Sequence, residues 1–125
     1  MTLSTNKKIL IVEDEADFAI ILSLQAKSRG YKCELDPTGA ECIERAKKFK
    51  PGVILLDMNL PHIGGLGLIR ALKNHPELAH IPIIVLSVVN QNDIVTTAIH
   101  RGASAYFTKG ADFDDLFRTI KEYSN

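Results

Sequence analysis

Short apolar runs alternate along the chain with longer amphipathic stretches. Ile9–Val12, Val53–Leu56 and Ile83–Leu86 are each unbroken by a polar residue. Runs of this length are too short for helices and read as strands buried on both faces. The stretch Tyr31–Asp36 alternates instead, with Tyr31, Cys33 and Leu35 set against Lys32, Glu34 and Asp36. That half-polar pattern marks an edge strand. A fifth strand signal runs from Ala103 to Thr108 and contains Tyr106 and Phe107.

Helical spacing fills the intervals. Residues 15–29 place Phe18, Ile21, Leu22 and Ala26 on one stripe and stop at Gly30. Thr38-Gly39-Ala40-Glu41 reads as a capping box opening a second helix, with Ile43 and Ala46 inward. Gly65, Leu68, Ile69 and Leu72 fall at i, i+3, i+4 and i+7, predicting a helix over 65–74. Its glycine-rich start (Gly64, Gly65, Gly67) predicts a weak, mobile first turn. His75 to Pro82 reads as a loop. A fourth helix is predicted to begin near Asn90, with Asp93 in its capping box, and to bury Val95, Ala98 and Ile99 before Gly102. Asp112 caps a fifth, whose Phe113, Leu116, Phe117 and Ile120 form one stripe.

Strands that alternate with helices form a parallel sheet covered on both faces. Right-handed crossovers with the second strand at an edge give the order 2-1-3-4-5, a flavodoxin-like (βα)5 doubly wound α/β fold. The 125 residues read as a single domain over 1–125, without linker, repeat or low-complexity tract. Fifteen basic residues balance fifteen acidic ones, so charge does not point to nucleic acid or a membrane surface. No apolar run approaches a membrane span, and Met1–Lys8 lacks the apolar core of a signal peptide. Cys33 and Cys42 lack metal-ligand spacing and are expected to be free thiols in a reducing cytoplasm.

The order 2-1-3-4-5 reverses between strands one and three and opens a crevice at their carboxyl ends. Glu13, Asp14 and Asp57 are delivered there, joined by Ser87 and Lys109 from strands four and five. Two carboxylates ~4 Å apart repel by roughly 4 kcal/mol at an effective dielectric of about 20, so three need a cation. An all-oxygen ligand set suits a hard ion, and Mg²⁺ takes few carboxylates, keeps waters and favours phosphates. A metal, a lysine, a hydroxyl and a carboxylate nucleophile together make a phosphoryl site. Asp57 would attack phosphorus while Lys109 and Mg²⁺ neutralise the equatorial oxygens and Ser87 donates to one of them.

Each residue alone has a plainer reading. Asp14 and Ser87 suit helix caps, Asp57 a turn, Glu13 and Lys109 solvated charges, and Tyr106 an edge-strand aromatic. Their convergence at one crevice outweighs those readings. The same weighing sets aside His62, His75, His80 and His100, which lack ligand spacing. Lys47, Lys48 and Lys50 complement a helix dipole, and the Gly64–Gly67 cluster does not directly follow a strand as a dinucleotide fingerprint would.

These motifs, in this order, resemble the response-regulator receiver domain over nearly the whole chain. The resemblance rests on Glu13-Asp14, Asp57-Met58-Asn59-Leu60-Pro61, Gly65, Ser87 and Gly102-Ala103-x-x-Tyr106-x-x-Lys109. It implies that Asp57 is the phosphoacceptor, and that Asp14, Asp57 and the Asn59 main-chain carbonyl bind Mg²⁺ directly. Glu13 would act through a metal-bound water, and Ser87 and Tyr106 occupy the hydroxyl–aromatic switch positions. The implied partners are a histidine kinase or a histidine phosphotransfer protein. A downstream target or a second copy would be met through helix four, strand five and helix five.

Two departures from the family stand out. Gly110 follows the lysine where proline is usual; a cis bond before glycine costs about 2.5–4 kcal/mol, so trans is expected. Val88 replaces a commonly small residue and is expected to narrow access to the phosphoryl site. Three rival readings are a Mg²⁺-dependent phosphohydrolase, a flavin module and a degenerate receiver. The phosphohydrolase would need a cap domain, and Asn59 stands where its acid/base carboxylate would help. The flavin module would need a Ser/Thr/Gly-rich phosphate cradle absent from the first βα loop. The degenerate receiver would bind partners without phosphorylation.

Overall fold

Apolar runs without polar interruption can be buried only between two layers, and the chain builds both. The computed structural model describes residues 6–60, 64–88 and 92–124. Its elements are β1 (Lys8–Val12), α1 (Ala16–Ser28), β2 (Lys32–Asp36), α2 (Cys42–Phe49), β3 (Val53–Asp57), α3 (Gly64–Asn74), β4 (Ile83–Ser87), α4 (Asn92–His100), β5 (Ala105–Thr108) and α5 (Phe113–Tyr123). All pairings are parallel, in the order β2-β1-β3-β4-β5. The expected doubly wound topology is therefore the observed one.

Alternate residues of the three central strands feed two cores. Leu10, Val12, Ile54, Leu56, Ile83 and Val85 pack under α2, α3 and α4 with Ala46, Leu68, Leu72 and Ala98. Ile9, Ile11, Val53, Leu55, Ile84 and Leu86 pack under α1 and α5 with Leu22, Ala26, Leu116, Phe117 and Ile120. Burying one such aliphatic side chain contributes about 1.5–3 kcal/mol, so these strands fix the register that aligns their carboxyl ends. The α3 stripe is buried at the four predicted positions. The α5 stripe also holds, with Phe113 half-buried and Asp112 Oδ1 accepting from the Asp114 N–H.

Several expectations need correction. Ile21 and Ile99 are largely exposed, because each lies about 100° round its helix from the buried Leu22 and Ala98. The capping box at Thr38 does not form: α2 starts at Cys42, and Glu41 makes no side-chain cap bond. Asp36, expected on the wet side of the edge strand, is buried and performs that task. Its Oδ1 accepts from the N–H groups of Thr38 and Gly39, and its Oδ2 from Glu41. The strand 103–108 begins at Ala105, although the Ser104 N–H still donates to Ile83 O at 2.8 Å. Asn90, Pro61 and His62 lie outside the described residues. Gly30, at φ 87°, ends α1 in the left-handed region that glycine enters without strain. Cys33 and Cys42 are free, with burial pushing their thiols up to about 11 and about 12. Among the described residues no helix is long and apolar enough to cross a membrane.

Candidate functional site

The strands that close both cores stop together, and their ends supply the site. Asp57 is the last residue of β3, is fully buried, and pairs in register with Leu86. Glu13 follows β1 and is 2% exposed. Asp14, next along, is exposed. One carboxylate oxygen from each of Glu13, Asp14 and Asp57 lies within 4.8 Å of the other two.

Lys109 enters from β5, its N–H donating to Ser87 O at 2.8 Å. Its Nζ donates to Glu13 Oε2 at 3.0 Å and lies 3.5 Å from Asp57 Oδ1. Glu15 Oε1 stands at 3.8 Å, and the Phe18 ring centroid at 5.4 Å. The Glu15 N–H donates to Glu13 Oε2 at 3.0 Å, and the Asn59 N–H to Asp57 Oδ1 at 2.9 Å. Ser87 is buried at the end of β4, while Val88 beyond it is 46% exposed. Tyr106, opposite Val85, is also 46% exposed. No peptide bond among the described residues is cis, so the chain passes from Lys109 to Gly110 in trans, as expected.

Burial dominates the electrostatics of this cluster. Desolvation pushes Glu13 up to about 7, with the Lys109 and Glu15 hydrogen bonds pulling only part of the way back. The carboxyl of Asp57 beside Asp14 is the main reason that Asp14 is also raised. Burial works against charged Lys109, yet its bond to Glu13 and the charges of Glu13 and Asp57 hold it above its ordinary value. Two oxygens, Glu13 Oε1 and Asp57 Oδ2, are buried with no hydrogen-bond partner among the described residues. Unpaired buried carboxylate oxygens are costly. A hard divalent cation beside them satisfies both, so the donor set fits Mg²⁺ on chemistry and on its unmet valence.

The sequence reading placed Glu13, Asp14, Asp57 and Lys109 at one crevice, and the structure unites them there. It missed Glu15 and Phe18, which stand near Lys109. Their i, i+3 spacing at the start of α1 was the available signal.

A parallel sheet of this order with an acidic, lysine-flanked crevice at its switch point defines an α/β domain equipped for phosphoryl chemistry. The response regulator receiver domain family matches residues 9–121, and the chain belongs to that family. It is a phosphoacceptor signalling switch of the two-component kind. The chain is 28% identical over 118 residues to sporulation initiation phosphotransferase F of Bacillus subtilis (strain 168), covering 94% of each chain. It is 30% identical to the polar-differentiation response regulator DivK of Brucella anthropi, covering 94% of this chain and 95% of that one. Among solved structures, a signal receiver domain from Bermanella marisrubri superposes with a TM-score of 0.88 at 27% identity, covering 96% and 99% of the two chains.

Proposed function

We propose that the chain acts as one receiver domain over residues 1–125 in the cytoplasm, with Asp57 as its phosphoacceptor. The donor is a phosphohistidine on a kinase or phosphotransfer protein. Asp57 Oδ2 attacks phosphorus as the phosphorus–nitrogen bond breaks, and the freed imidazole leaves with the electron pair. The observation that carries this reading is Asp57 itself: one oxygen is held by the Asn59 N–H and faces Lys109, while the other is buried with no hydrogen-bond partner among the described residues.

Lys109 spreads its charge between Glu13 and Asp57 and would neutralise a phosphoryl oxygen. Asp14, Asp57 and the Asn59 main-chain carbonyl would hold Mg²⁺, with Glu13 acting through a bound water. When bound, the ion would supply positive charge to the acidic cluster and to the equatorial oxygens of the transferring group. Ser87 would donate its hydroxyl to the new phosphate, and Tyr106 would turn inward as that hydroxyl moves. The output surface on this reading is α4, β5 and α5, where Ile99, Tyr106 and Tyr123 are exposed; it would meet a downstream protein or a second copy. Catalysis is confined to the chain's own aspartyl phosphate, which it forms and then hydrolyses.

The test is intact mass after incubation with Mg²⁺ and a small phosphodonor. The wild type gains one phosphoryl group only with Mg²⁺, and Asp57→Asn gains none. Equal labelling of that variant overturns the assignment.

A further inference from the structure

Lys109 is held from two sides, and the second side has no part in the chemistry described so far. Glu13 and Asp57 pull its Nζ into the crevice at 3.0 and 3.5 Å. On the other side the first turn of α1 presents Glu15 Oε1 at 3.8 Å and the ring of Phe18 at 5.4 Å from its centroid. The Glu15 side chain is 62% exposed, whereas that of Lys109 is 16% exposed. Phe18 is half-buried and packs on the core beneath α1 and α5, which anchors its ring.

The backbone on either side of the lysine is hydrogen-bonded, the Lys109 N–H to Ser87 O at 2.8 Å and the Ala111 N–H to Thr108 O at 3.0 Å, so the freedom left is in the Lys109 side chain. Gly110 follows it, and a Cβ built there would meet nothing within 4 Å. With no side chain at Gly110 to flank it, the direction of the long, flexible Lys109 stem is set by what surrounds the ammonium. Glu15 competes for that charge from the solvent side. A cation within about 6 Å of an aromatic face is attracted to it, more strongly where water is excluded.

We propose that Phe18 is a positioning residue for phosphoryl transfer: its ring face, together with Glu13 and Asp57, fixes where the Lys109 ammonium stands beside Asp57. The inference rests on the reading of Asp57 as phosphoacceptor. It adds that the lysine's placement is a property of α1 as well as of β5.

Three variants test it, with two readouts. Phe18→Leu keeps an apolar side chain but removes the ring; pentafluorophenylalanine at position 18 keeps the shape and reverses the ring's quadrupole. Both are expected to slow labelling by a small phosphodonor at saturating Mg²⁺, by about 3- to 30-fold. Phe18→Tyr, which preserves the ring face, recovers most of the rate. The second readout needs neither metal nor activity. In metal-free protein the Lys109 ε-methylene protons should show an upfield ring-current shift, lost in Phe18→Leu and kept in Phe18→Tyr. Wild-type labelling rates in the first two variants, or an ε-methylene resonance unmoved by Phe18→Leu, overturn the role of Phe18. So does a Phe18→Tyr variant as slow as Phe18→Leu. Should wild type itself fail to label on Asp57, the underlying reading falls instead, and the mass of the Asp57→Asn control separates the two outcomes.

Discussion

Lys109 is bound more closely to Glu13 than to Asp57, at 3.0 Å against 3.5 Å. The lysine is thus shared between a carboxylate that buries a proton readily and one read here as the nucleophile. Glu13 is held up to about 7 by burial, from an ordinary value of 4.5. The folded protein holds this proton more tightly than the unfolded chain does. Stability from Glu13 is therefore complete below pH 4.5 and is lost as pH rises through about 7. In EDTA, the urea-unfolding free energy of wild type should fall across that window relative to Glu13→Gln. Parallel pH curves for the two proteins would sink the idea.

Asp14 lies against Asp57 without burial of its own. Asp14→Ala should raise the melting temperature in EDTA, by relieving like charge, and should lose most of the gain that Mg²⁺ gives wild type. A cation at 100 times its Kd stabilises a native state by about 2.7 kcal/mol. Melting curves with and without Mg²⁺ check this; equal Mg²⁺-dependent gains in the two proteins would remove Asp14 from the ligand set.

Gly65 packs from α3 against the segment that follows Asp57. A Cβ there would lie 2.9 Å from Met58 Cα and 3.1 Å from Asp57 O. Gly65→Ala must therefore push the segment after β3, at an overpacking cost of about 1–3 kcal/mol. Both denaturant stability and the labelling rate should fall. Unchanged labelling in a destabilised variant would show that the loop position is not critical to transfer.

Asp36 gives the opposite pattern. Asp36→Asn turns an amide donor toward N–H groups that now meet oxygen, and should cost about 1–3 kcal/mol. Labelling of Asp57 in the folded fraction should stay at the wild-type rate. A labelling defect that persists at low temperature, where the variant is folded, would refute this separation of roles.

Most of the architecture was legible because it depends on period. Unbroken runs such as Val53–Leu56 leave no solvent-facing position, and the Leu68, Ile69, Leu72 spacing admits one buried face. The crevice followed from strand order alone. What escaped were bonds between side chains and neighbouring backbone. Asp36 alternates like an exposed residue, yet Asp36-Pro37-Thr38-Gly39 is a turn sequence in which an Asp side chain collects N–H groups. Ile21 and Ile99 were misplaced because a hydrophobic residue beside a stripe looks like part of it. The closer attachment of Lys109 to Glu13 could not be read either, since the two are 96 residues apart and their distance depends on side-chain packing.

Along β3 the four residues before Asp57 are divided evenly, Ile54 and Leu56 to one core and Val53 and Leu55 to the other. Asp57 therefore terminates a shared wall between two packed compartments. A load applied at its carboxylate, whether charge, metal or a covalent phosphoryl group, presses on both compartments through one rigid member. Helices on opposite faces of the sheet would then register the same event, and selection can attach a partner to either side of the sheet without rebuilding the end of β3.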